Sequence, residues 1–265
     1  MAKKERPYGV TSVGEKLAYA LGDLGSNFVW TFCSSWLTLY YTDSVLMAAG
    51  LIGTVMLVLR LADGVSDIIF GAMIEKTHTK FGKARPWFGG SIIPLVIIQL
   101  LVYNVPSGLS AGAKLLWIII TYFLLTVVAY TINNLSYHAM LSRFSLDPED
   151  RNKVSSVRGI FAFLAGLLLS ILTPILLNSN GGSKSQHAWT VTALVFSIAC
   201  LVLQAITFFG IKEKISCVDE GEKTGAPQGD LKKGIQALLH TKYFYISIII
   251  YHKCIYNTIV FIKFF

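Results

Sequence analysis

Apolar residues in this chain come in long blocks and not in alternation. Blocks near 17–41, 50–74, 87–105, 114–138, 154–178 and 189–211 match the ~20 residues a helix needs to cross a bilayer. A seventh, near 241–262, follows a long polar stretch and mixes His252 and Lys253 into its apolar run. Each block is expected to be helical, because lipid offers backbone N–H and C=O groups no partner. The blocks are also far longer than barrel strands and lack their strict alternation. The pattern predicts an all-α membrane protein: a six-helix bundle over 1–211, a linker over 212–240, and part of a seventh helix over 241–265. The linker contains EGEKTGAPQGD, whose Gly, Pro and charged residues cannot build a packed core.

Composition agrees with the blocks. Of the 265 residues, 54% are hydrophobic and only 14% charged, where a soluble domain carries roughly a quarter charged residues. Mean hydropathy is +0.58. The net charge of +8 invites a nucleic-acid reading, but the distribution of Lys and Arg removes it. One set of segments holds Lys3, Lys4, Arg6 and Lys16, then Lys76, Lys80, Lys83 and Arg85, then Arg143, Arg151 and Lys153, then Lys212, Lys214, Lys223, Lys232 and Lys233. The alternate connections hold only Lys114 and Lys184. By the positive-inside rule the N-terminus is cytoplasmic, in an inner (plasma) membrane. The basic start leads into a long helix with no small-residue cleavage site, so that helix is expected to stay as an anchor. Cys33, Cys200, Cys217 and Cys254 have no metal-ligand spacing and read as small apolar packing residues.

The candidate chemistry lies where the blocks are polar. Helix 2 reads LIGTVMLVLRLADGVSDIIFGAMI, with Arg60, Asp63 and Asp67 on one helical face. An ionisable group near the bilayer centre costs at least ~2.5 kcal/mol on insertion scales, so three together need a reason. One reading is a cation site lined by the two carboxylates, with Arg60 balancing their charge. The other is a salt-bridge cluster that only fixes packing. In helix 1, Asp23 and Asn27 lie four apart beside Gly22 and Gly25, which permit close helix approach. That pair serves either binding or packing. Helix 4 ends in AYTINNLSYHAM, with Thr131, Asn134 and His138 at i, i+3 and i+7 beside Tyr130 and Tyr137. Hydroxyls, amides and rings suit a sugar, which needs several hydrogen bonds and a flat apolar face. The same groups also serve as interhelical glue. Arg158 either snorkels to the headgroups or offers its fork of donors to a ligand.

The strings YALGDLGSNF, YYTD, RLADGVSDIIFG, KTHTKFGKARPW, YTINNLSY and DPEDRNKVSSVRGIFAFLAG resemble the glycoside–pentoside–hexuronide:cation symporters, of the major facilitator superfamily. The resemblance covers residues 8 to about 211. It implies the N-terminal six-helix bundle of a two-bundle transporter, with the sugar bound between bundles. By resemblance, Asp63 and Asp67 fall on coupling-cation carboxylates, with Thr131 and Asn134 beside them. Asp23, Asn27, Tyr130, Asn134, His138 and Arg158 fall on positions facing the sugar, and Gly82, Lys83 and Arg85 on a cytoplasmic gate turn. Melibiose permease, a familiar member, has carboxylates at Asn27 and Asn134 and an indole at His138. These departures leave the sugar unnamed and the coupling ion as either Na⁺ or H⁺.

The implied function is symport of a sugar or glycoside with a cation. No organic cofactor is expected, and no metal beyond a Na⁺ at Asp63 and Asp67. The expected partners are the sugar, the bilayer and a missing C-terminal half, since one helix follows the linker. A six-helix remnant that inserts but does not transport is the alternative. An intramembrane prenyltransferase is a third reading, weakened because its second acidic cluster is absent from the helices. The nearest candidate, Asp147, Glu149 and Asp150, lies in a loop.

Overall fold

The computed structural model describes residues 10–213. These form six long helices: α1 Val13–Asp43, α2 Ala49–Lys76, α3 Arg85–Val102, α4 Ala111–Phe144, α5 Pro148–Ser179 and α6 Gln186–Gly210. Among the described residues there is no strand. The linker beyond Glu213, the proposed seventh helix, Cys217, Cys254 and the basic residues before Val10 lie outside the described residues.

Each of the six apolar blocks within the described residues is a helix, but most helices outrun their blocks. A helix continues through polar residues until a cap or a proline stops it, whereas hydropathy reports only the part matched to lipid. α1 begins four residues before its block, at a reciprocal capping box: Ser12 Oγ accepts from Glu15 N at 3.0 Å, and Ser12 N donates to Glu15 Oε2 at 2.6 Å. α5 begins six residues early, where Asp147 accepts from Asp150 N at 2.8 Å and Pro148 opens the first turn. α3 instead stops at Val102, three residues short of its block. Pro106 follows closely and biases Val105 away from the helical region.

α3, α4, α5 and α6 are each long and apolar enough to cross a membrane. α1 and α2 have 31 and 28 residues. At 1.5 Å per residue even 28 span roughly 42 Å, more than the ~30 Å hydrocarbon core. Large side chains such as Leu61, Ile160, Phe163 and Phe209 stand exposed, apolar surface of the kind that lipid or further helices cover.

α1 packs most closely on α6 and α5, while α2 leans mainly on α4. The α1–α6 contact is tight because Gly22 has no side chain. A Cβ there would meet Thr207 Oγ1 at 2.7 Å and a Tyr137 ring carbon at 2.8 Å. Below this contact lies a buried polar layer. Asn133 Nδ2 donates to Gln204 Oε1 (2.9 Å) and Ser91 Oγ (3.0 Å), and Gln204 Nε2 donates to Asn133 Oδ1 (3.0 Å) and Ser26 Oγ (3.0 Å). The paired amides join α1, α3, α4 and α6 and leave little polar capacity unused. Cys33 and Cys200 are buried and free, in keeping with packing residues.

Candidate functional site

α4 is not a uniform α-helix. Leu124–Tyr130 winds as π-helix, directly before Thr131. Such bulges often mark functional positions, because they re-aim the side chains that follow. Here the Thr131 hydroxyl, 2.7 Å from Asp63 Oδ1 on α2, also lies 3.0 Å from the Thr126 carbonyl five residues back. One hydroxyl proton therefore has two acceptors within reach.

The structure thus brings Asp63 and Thr131 together across two helices. Asp67, one turn further along α2, and Asn134 on α4 make no hydrogen bond or ion pair among the described residues. Asp67 is exposed and Asn134 half-buried in the isolated bundle. No cluster of three or more His, Cys, Asp or Glu suited to a metal occurs among the described residues. A hard cation at Asp63 would have to complete its oxygen shell from a hydroxyl, an amide or a carbonyl.

Asp23 is buried on α1, and Asn27 Nδ2 donates to its carbonyl at 2.8 Å and to Oδ2 at 3.3 Å. Thr31 Oγ1 in turn donates to Asn27 Oδ1 at 3.3 Å. The same face carries Trp30, stacked on Tyr130 of α4 with centroids 4.6 Å apart and planes 18° from parallel. The Arg60 guanidinium lies over the Trp30 ring, 5.6 Å from its centroid. Arg60 forms no salt bridge with Asp63 or Asp67, its neighbours on the same helical face. On α4 and α5, Arg158 Nη1 lies 2.9 Å from His138 Nδ1. That contact requires the lone pair of the neutral ring to face the guanidinium.

The gate-turn residues lie elsewhere, at one end of the bundle. Gly82 takes φ +107°, a left-handed conformation that favours glycine. Its turn wraps the carboxylate of Glu213, just past α6. Glu213 accepts from the backbone N–H of Lys83 (3.1 Å), Ala84 (3.0 Å) and Arg85 (2.8 Å), and from Arg143 Nε at 2.6 Å. Arg85 also donates to the Phe208 carbonyl, at 2.9 Å from Nη2, and lies over the Phe208 ring. A carboxylate at the start of α3 gains from the exposed amides and dipole there.

Sequence reasoning missed Trp30, Glu213 and Arg143. Trp30 is one aromatic among many in an apolar helix and carries no polar signal. Its spacing of three from Asn27 and seven from Asp23 would have placed it on their face. Glu213 was hidden inside the linker.

A family of MFS/sugar transport proteins matches residues 18–259. The chain is 31% identical over 206 residues to the isoprimeverose transporter of Lactiplantibacillus pentosus, covering 77% of this chain and 43% of that protein. It is 33% identical over 206 residues to the inner membrane symporter YicJ of Escherichia coli (strain K12), covering 78% and 44%. To the glucuronide carrier protein homolog of the same organism it is 31% identical over 202 residues, covering 75% and 43%. The chain spans less than half the length of these relatives.

Proposed function

The chain belongs to the MFS/sugar transport family of multi-pass glycoside–cation symporters, which are transporters and not enzymes, and from that premise we propose that its six helices carry the cation and sugar sites of such a symporter. The observation that carries this reading is the 2.7 Å contact between Thr131 and Asp63. It joins the charged face of α2 to the polar face of α4 at a π-helical turn. Relatives named for isoprimeverose and glucuronide favour a glycoside, pentoside or hexuronide as cargo.

In this mechanism Na⁺ or H⁺ enters at Asp63 and Asp67. The Thr131 hydroxyl turns its proton to the Thr126 carbonyl and presents a lone pair to the arriving cation. Asn134, one turn along α4, supplies a further amide oxygen. Neutralising the carboxylates lowers the cost of closing the site away from water. The sugar bonds Asp23, Asn27, Asn134, His138 and Arg158 through its hydroxyls and stacks on Tyr130. Coupling follows if each ligand raises affinity for the other.

Alternating exposure is rocking of one bundle against another. Residues 1–211 supply one bundle, and 212–240 and 241–265 read as the linker and the start of the next. The gate turn at Gly82, Lys83 and Arg85 is assigned to the cytoplasmic side of the inner membrane, as is the N-terminus.

The purified chain in lipid nanodiscs is expected to bind Na⁺ or H⁺ saturably, by calorimetry and proton release. Asp63→Asn and Asp67→Asn should each abolish that binding with helix content unchanged. Wild-type cation affinity in both variants would defeat the assignment. Counterflow of labelled glycosides in vesicles then tests the cargo.

A further inference from the structure

Arg60 and Asp63 are three residues apart on α2, close enough to be neighbours on the helix surface, and Asp67 lies on the same face. In a membrane, an arginine beside two carboxylates is expected to pair with one of them, because water competes poorly there. That pair is not made. The two side chains take different partners instead. Asp63 takes the Thr131 hydroxyl of α4, while Arg60 lies over Trp30 of α1, with the Tyr122 hydroxyl of α4 as its other neighbour. Trp30 cannot easily swing away, since its ring is stacked on Tyr130 of α4. The chain of contacts Tyr130, Trp30, Arg60 runs beside the chain Thr131, Asp63, and each begins from one of two consecutive residues at the end of the π turn.

We infer that Trp30 is a positioning residue that holds the Arg60 guanidinium off Asp63 and Asp67, keeping both carboxylates free for an incoming cation. An arginine is a permanent cation and would otherwise occupy the site it borders. The indole suits this task. It attracts the guanidinium more strongly than the other aromatic rings do and leaves Arg60 nearby to offset the negative charge. The consequence for transport rests on the cation-site reading above. The arrangement of Arg60, Trp30 and the carboxylates does not, and can be tested separately.

A hydrophobic carbodiimide such as dicyclohexylcarbodiimide reacts with membrane carboxyl groups that can take up a proton, and spares those held ionised in an ion pair. The full chain in nanodiscs is labelled and the adducts at Asp63 and Asp67 are quantified by peptide mass spectrometry. Wild type should label at both. Trp30→Leu should label roughly tenfold less at one or both, a population shift within reach of a desolvated cation–π contact. Adding Arg60→Gln to Trp30→Leu should restore labelling, which a purely structural role for Trp30 does not predict. Trp30→Phe keeps a ring on Tyr130 and should fall between. If Trp30→Leu does not fold, Trp30→Phe with and without Arg60→Gln carries the same comparison.

Unlabelled carboxylates in wild type overturn the inference. So does unchanged labelling in the Trp30 variants, or a loss that Arg60→Gln leaves in place. Protection of wild type by Na⁺ is a separate arm: its absence, with the labelling pattern intact, counts against Na⁺ as coupling ion and leaves Trp30's role standing.

Discussion

Thr131 shows how much a single residue decides at this site. Its hydroxyl has one proton and two acceptors, Asp63 Oδ1 and the Thr126 carbonyl, so on the proposed cation-site reading it can serve the empty and the occupied site without moving backbone. Thr131→Val removes an oxygen offered to the cation and the group that orients Asp63. Loss of such supporting partners typically costs about ten- to a hundredfold in metal affinity, so Na⁺ binding should weaken by that much. Thr131→Ser should keep most of the affinity. Calorimetry on the two variants checks this, and equal affinities would reduce Thr131 to a packing role. Asp63, Asp23 and Asn27 stand out as candidates in the sequence because a charged or amide group in an apolar block is set against its cost in lipid, and Thr131 by its helical spacing from Asn134 and His138. Trp30 does not, since an aromatic ring carries no such cost. Its role comes from three helices meeting, and helical spacing describes only one.

Between helices, the legible part was the existence of each span, together with the small residues that let α1 approach α6. The rest was written in local chemistry. Capping by Ser12 and Asp147 set where helices begin, and the π turn in α4 left no mark in hydropathy. The α1–α6 contact makes a direct prediction. The Cβ and methyls of Gly22→Val have no room against Thr207 and Tyr137, and overpacking costs typically 1–3 kcal/mol. A lowered thermal midpoint in nanodiscs is expected. Gly53→Val, where a Cβ meets nothing within 4 Å, is the control and should leave the midpoint nearly unchanged. Gln204→Leu should also destabilise, because it removes two of the hydrogen bonds Asn133 makes in the buried layer. Its penalty should be smaller, near the ~1 kcal/mol typical of interhelical hydrogen bonds in membranes. Equal midpoints for Gly22→Val and Gly53→Val would mean that α1 and α6 do not approach this closely.

At the scale of the described bundle, one end gathers most of the charge. There Asp150 accepts from Thr11 N, Thr11 Oγ1 and Ser145 Oγ, and pairs with Lys16 Nζ at 2.6 Å, tying the start of α1 to the α4–α5 turn. The opposite end is tied mostly by neutral groups: Tyr40 donates to Gln186 Oε1 and Gln186 donates to the Tyr103 carbonyl, while Asp43 accepts from Ser183 Oγ. This division is what the Lys and Arg distribution implies for a cytoplasmic charged end. An impermeant maleimide should therefore label Gly108→Cys in intact cells and Lys80→Cys only after permeabilisation; the reverse pattern would invert the assigned orientation.

The charged end also limits how the proposed gate turn can move. Glu213 ties three consecutive amides at the start of α3 to Arg143 of α4, so releasing the turn means uncovering a carboxylate that is 2% exposed. Glu213→Gln keeps the shape but weakens every bond to the oxygens and aims an N–H₂ at donors. Hydrogen exchange at the amides of Lys83, Ala84 and Arg85 should then quicken by roughly tenfold or more, given the worth of a charged acceptor. Gly82→Ala should quicken the same amides, because its Cβ would collide with the Glu213 carboxyl group and its φ is left-handed. Exchange elsewhere in α3, at Leu95 for example, should stay slow. Protection at 83–85 that survives both substitutions would mean that the turn is held by its own backbone, and that Glu213 merely rests in it.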